Sequence, residues 1–167
     1  MTTDVASEVS ETGATTPFET GVSWRAGGVA GFVATAVMGV AISAMDLGTL
    51  RVAIAGLYGF EGSLIAGWAA HLLHGTLFGV VFSAVLADPG LLRVSEWLWK
   101  TLVAGVVFGL VLAVVGAGVV LPIWLGVAGV EVGATVPFVT VPSLLWHAVY
   151  GVVLGVGFHV LDGRRPA

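Results

Sequence analysis

Four apolar runs, each long and almost free of charge, constrain this chain more than anything else in it. About 20 apolar residues in helical form cross a hydrocarbon core of roughly 30 Å, because each residue advances a helix by about 1.5 Å. Backbone N–H and C=O groups in lipid find no water, so a run of this kind has to be a helix that satisfies its own hydrogen bonds. The expected spans are about Ala26 to Met45, Ser63 to Ala87, Thr101 to Leu121 and Ser143 to Leu161, within a transmembrane domain of residues 24–163. Composition agrees, since 57% of the 167 residues are hydrophobic, 10% are charged and the mean hydropathy is +1.05, beyond any ordinary soluble domain. The fold class expected is all-α, a polytopic membrane protein built as a four-transmembrane-helix bundle.

The charges that remain give the chain its orientation. Residues 1–23 are rich in Thr, Ser and Glu, carry Asp4, Glu8, Glu11 and Glu19 without a base, and read as a disordered acidic tail. An acidic start followed by a run long enough to span is unlike a secretory signal. With four spans, the tail, the second loop and the C-terminus share one side and hold Arg25, Arg93, Lys100, Arg164 and Arg165, while the other side holds Arg51 alone. The positive-inside rule then places the tail and residues 164–167 in the cytoplasm, in a multi-pass protein of the cell membrane. Asp46, Arg51, Glu61 and Glu131 fall on the outer side. Between the first two spans, Leu47, Leu50, Ile54, Leu57 and Tyr58 share a helical stripe, which reads as a short helix in the outer interface or a continuation of the first span. Most of the six Trp residues fall at span ends or in loops, as interface anchors do.

Small residues recur at every fourth position of each span. The ridges are Gly27, Gly31, Thr35, Gly39, Ser43; Gly75, Gly79, Ser83; Thr101, Gly105, Gly109, Ala113, Ala117; and Gly151, Gly155. At 3.6 residues per turn such a ridge stays on one face. Packing apolar side chains together gains little in lipid, so helices associate where small residues let backbones approach, and these ridges are the expected packing faces. Part of the pattern repeats. His71, Gly75, Gly79 and Phe82 stand 76 residues before His147, Gly151, Gly155 and Phe158, and Gly31 stands 74 before Gly105. A two-helix unit used twice in one orientation, a parallel internal repeat, would produce this.

The polar residues inside the spans are the candidates for chemistry. His71 and His74 lie three apart on one helix face, and His147 and Asp46 fall at a similar depth toward the outer side. One reading is that these histidines bond to backbone or hydroxyls across helix interfaces. The other is a polar cluster of Asp46, His71, His74 and His147 whose histidines bind a transition metal, ligate a haem or relay protons. His159 reads as interfacial, and Glu61, Asp88, Glu131 and Asp162 as loop or cap charges. There is no Cys, which excludes disulfides and thiolate sites, and there is no phosphate-binding loop, His-Glu-x-x-His or Gly-x-Ser-x-Gly. Neither Gly116-x-Gly118 nor Gly155-x-Gly157 has the third glycine of a dinucleotide fingerprint. An acidic chain has no pull on nucleic acid, so the expected partner is the bilayer.

In three stretches the sequence resembles a family of small four-helix membrane proteins from haloarchaea. These are His71 to Phe82, Gly118-Val-Val-Leu-Pro-Ile-Trp124-Leu, and Ser143-Leu-Leu-Trp-His147 with Tyr150-Gly151-Val-Val-Leu-Gly155. The resemblance covers about residues 24–161. It implies membrane location and helix count and nothing catalytic. Members often carry the name histidine kinase, which this chain argues against, having no ATP-binding domain and no Asn for a kinase Mg²⁺ site. The function expected is that of a membrane component without a catalytic site and without a cofactor, an accessory subunit of a membrane complex or a permease-like homo-oligomer. Glycine ridges are expected to leave little volume inside one protomer. The alternative is a redox membrane protein binding metal or haem through His71, His74 and His147.

Overall fold

A computed structural model describes residues 21–130 and 135–163. The tail up to residue 20, Glu131, Arg164 and Arg165 lie outside the described residues. Among the described residues every regular element is helical, and four helices are long and apolar enough to cross a membrane: α1 (Trp24–Met45), α2 (Leu64–Leu86), α3 (Leu98–Val127) and α4 (Val141–Asp162). Their starts are set by side chains that take up otherwise unpaired N–H groups. Ser23 caps α1, Ser63 caps α2 and Thr140 caps α4, each accepting from the backbone N–H three residues on. Gly163, left-handed at φ 71°, ends α4. The end of the bundle near Trp24 and Asp162 is called proximal here and the end near Asp46 and Val141 distal.

Successive helices form two hairpins, α1 with α2 and α3 with α4, and α1 packs on α4 to join them. Within each hairpin the contact is backbone on backbone. A Cβ added to Gly31 would strike the Gly75 carbonyl oxygen and lie 2.8 Å from the Gly79 Cα; one added to Gly105 would strike the Gly151 carbonyl oxygen and lie 2.9 Å from the Gly155 Cα. These contacts are related by the offsets of 74 and 76 read from the sequence. The same holds for Gly79 on the Gly27 carbonyl and Gly155 on the Thr101 carbonyl, and Gly109 sits on the carbonyl of His147. Gly39, expected on the same ridge, abuts the ring of Trp68 instead. Hydroxyls along the seam donate back to the preceding turn, Thr35 to the Gly31 carbonyl at 2.7 Å and Ser83 to that of Gly79 at 3.2 Å, so they add no unpaired polarity. Between the hairpins, Phe82 meets its repeat equivalent Phe158 edge-on at 5.4 Å and meets Phe108 at the same distance.

One element departs from the sequence expectation. The third span runs to Val127 rather than Leu121, passing from α-helix at Leu98–Val111 through a π-helical stretch at Leu112–Val120 into α-helix at Leu121–Val127. Pro122 stands in the first turn of that last segment, directly after the π-helical stretch. Of the two readings of the segment after α1, the separate short helix holds, over residues 47–56, and the continuation of α1 does not. Asp46 leaves helical geometry at φ −152°, and the π-helical turn Thr49–Ile54 packs onto α2, with Leu50, Ile54 and Ala55 buried and the Leu50 carbonyl against Gly67.

Replacing Gly31 or Gly105 by Val forces a side chain into a neighbouring backbone, and each is expected to lower stability by about 3 kcal/mol or more. Gly116→Ala and Gly126→Ala, where an added Cβ meets nothing, should stay within about 0.5 kcal/mol of the parent. Thermal unfolding followed by circular dichroism in detergent checks this, and equal losses in all four variants would contradict the seam.

Candidate functional site

The seam on α3 ends at Gly109, and two turns later Gly116 faces open space. The distal half of α3 stands away from α2, and a cavity of about 850 Å³ lies between them. The sequence led to the opposite expectation, that the glycine ridges leave little volume inside one protomer. The ridges close only the proximal half. Met38 and Ile42 of α1, Phe78 of α2, Leu112 and Val120 of α3 and Trp146 of α4 supply apolar wall. Ala53, Ile54, Leu57 and Tyr58 reach over the distal end, and the Trp124 indole N–H donates to the Leu57 carbonyl at 3.2 Å, tying this cover to α3.

All four members of the expected polar cluster line this one cavity. His71 is 7% exposed, stands edge-on to Trp68 at 6.3 Å, and has His147 and His74 close enough to interact electrostatically. Its Nε2 has no hydrogen-bond partner. His74 Nε2 shares a short hydrogen bond with the Tyr58 hydroxyl, which links α2 to the distal cover. His147 Nδ1 donates to the Ser143 carbonyl at 2.8 Å, one turn back, and in the neutral ring this leaves Nε2 as an acceptor. Asp46 is exposed at the rim and holds its own turn, accepting from the Gly48 N–H at 3.1 Å and the Thr49 hydroxyl at 2.6 Å. Among the described residues no three His, Asp or Glu side chains are grouped so as to hold one metal ion.

Four hydrogen-bonding aromatic residues of the cavity, Tyr58, Trp124, Trp146 and Tyr150, were not singled out as site residues from sequence. Tyr150 donates to the Gly75 carbonyl at 2.8 Å, across from α4 to α2, and it occupies the place of His74 in the repeat, which was the available signal. Tyr58, Trp124 and Trp146 left none beyond their aromatic character. Trp146, expected as an anchor, is buried with its N–H on the Met45 sulfur at 3.4 Å. Trp24, Trp97 and Trp99 are exposed at the proximal end as anchors should be, with Lys100 over the rings of Trp97 and Trp99 at 5.3 and 5.6 Å. His159 is buried inside the protein rather than placed at the interface, its Nδ1 donating to the Ser95 carbonyl at 2.8 Å. Asp88 and Asp162 serve the loop and cap roles expected, accepting from the backbone N–H groups of Gly90 and Ser23.

The chain matches no protein-family model, no curated protein and no solved structure.

A Tyr58→Phe variant removes the bond between the distal cover and His74. At about 1 kcal/mol for such a bond, the cover should open about five times more often. Trypsin cleavage after Arg51, in the cover itself, is expected to speed up by that factor in detergent; an unchanged rate would show that the bond does not hold the segment.

Proposed function

We propose that this chain is a non-enzymatic component of the cell membrane, permease-like in character and acting as a homo-oligomer or as a subunit of a membrane complex, with the distal cavity as its working site. One observation carries the reading: Asp46, His71, His74 and His147, from three separate segments, line a single cavity within a bundle that is otherwise closed by backbone contacts. Ionisable side chains at membrane depth mark ligand or ion paths by default. The cavity histidines bond to a backbone carbonyl and a tyrosine, not to a carboxylate or nucleophilic hydroxyl as catalytic imidazoles do. The resemblance to small haloarchaeal membrane proteins adds location and no chemistry.

The charge asymmetry between loops favours cytoplasmic termini, which turns the cavity toward the outside. Metal or haem ligation by His71, His74 and His147 is the weaker reading. No three candidate ligands are grouped among the described residues, and His74 Nε2 is engaged by the Tyr58 hydroxyl.

The absence of cysteine makes single introduced thiols clean reporters. A small, charged methanethiosulfonate added outside intact cells is expected to modify Ala117→Cys, which lines the cavity, and to spare Val29→Cys on the exposed apolar face of α1 and Thr2→Cys in the tail. Thr2→Cys should react once the membrane is permeabilised. Protection of Ala117→Cys equal to that of Val29→Cys would overturn the working site, and labelling of Thr2→Cys in intact cells would overturn the orientation.

A further inference from the structure

We infer that the distal cavity binds an uncharged, largely apolar molecule bearing a hydroxyl, an alcohol or phenol that donates its proton to the Nε2 of His147. This rests on the reading of the cavity as the working site and adds the ligand class.

Size, charge and hydrogen bonding each narrow the choice. A volume of about 850 Å³ falls in the range of small-molecule sites, roughly 300–1,000 Å³. No Arg or Lys lines the cavity, so an anion would lie at depth without a counter-charge. Asp46, the one lining carboxylate, sits exposed at the rim with two donors already on it, so a cation would gain nothing by going deeper. Most of the remaining wall is aliphatic or aromatic, which favours an apolar body.

The polar groups at depth then set the head. The hydroxyls of Tyr150 and Thr35 donate to the carbonyls of Gly75 and Gly31, and the Nδ1–H of His147 donates to that of Ser143, so these donors are spent inside the protein, while the hydroxyls of Thr140 and Ser143 line the cavity and can donate to the oxygen of a ligand hydroxyl. His147 Nε2 retains a lone pair. His71 also lines the cavity, but its Nε2 is sealed within the protein, so the acceptor left to a ligand is His147 Nε2. A ligand hydroxyl would satisfy the lone pair of His147.

Two probes that differ only at the head test this in the full chain reconstituted in nanodiscs: 1-naphthol, and 1-methoxynaphthalene, which lacks the donor. Energy transfer from tryptophan reports binding, since Trp124 and Trp146 line the cavity, with empty nanodiscs correcting for partition into lipid. Saturable binding is expected for 1-naphthol, about 3- to 10-fold tighter than for the ether. His147→Leu should shrink that preference while leaving the ether's binding intact. Gly116→Leu, which fills the cavity from a position where an added Cβ meets nothing, should abolish saturable binding of both probes and keeps the test decisive if a histidine variant does not fold. Equal affinities for the two probes, or 1-naphthol binding undiminished in Gly116→Leu, would overturn the ligand class. Should the probes fail to discriminate while Ala117→Cys is labelled from outside, the ligand class falls and the working site stands; should Ala117→Cys be protected, the working site itself falls.

Discussion

In a bilayer a helix gains little by placing leucine against leucine, because the lipid tails are just as apolar, and what remains is close contact between backbones. The structure depends on that contact. Gly31 on Gly75 and Gly79, and Gly105 on Gly151 and Gly155, bring two pairs of helices together so closely that no Cβ fits between them. Each pair is a hairpin, and the seam hydroxyls of Thr35 and Ser83 bond to carbonyls of their own helices. The two hairpins are then joined by α1 on α4 and by the rings of Phe82, Phe108 and Phe158. Phe82 and Phe158 are equivalent positions of the repeat, so the copies face one another across the middle of the bundle.

What the seam does not reach is left open, and there the polar residues collect. Beyond Gly109 the third helix loosens into π geometry at Leu112–Val120 and leaves its distal half standing away from α2. π-helical turns occur preferentially at functional sites. The cavity that results holds three histidines drawn from two helices, with Tyr58 and Trp124 connecting its cover to α2 and α3. The cavity is thus confined to the half of the bundle that the glycine contacts do not hold together.

Much of this was legible in the sequence, because lipid imposes simple rules. Twenty-residue apolar runs gave four helices, and small residues four apart named the surfaces that meet; the offsets of 74 and 76 even gave the pairs that correspond. Asp46, His71, His74 and His147 were grouped by depth alone and do share one cavity. The cavity itself was not legible, since a ridge of small residues shows which face can pack and not where its partner helix ends. Ala117 continues the ridge of α3 in sequence yet faces the cavity, because the intervening π turns advance by more than 3.6 residues and rotate the face away. Hydrogen bonds between distant segments, such as Tyr150 to the Gly75 carbonyl and His159 to the Ser95 carbonyl, leave no periodic trace.

One helix, α3, is held backbone to backbone against α4 in its proximal half and lacks that glycine contact in its distal half. Hydrogen exchange resolved along α3 by nuclear magnetic resonance, on the protein in detergent, tests it most directly. Amides of Leu112–Val120 are expected to exchange at least about ten times faster than those of Leu98–Val111, reflecting looser hydrogen bonding beside the cavity. Uniform protection along the whole of α3 would contradict the account.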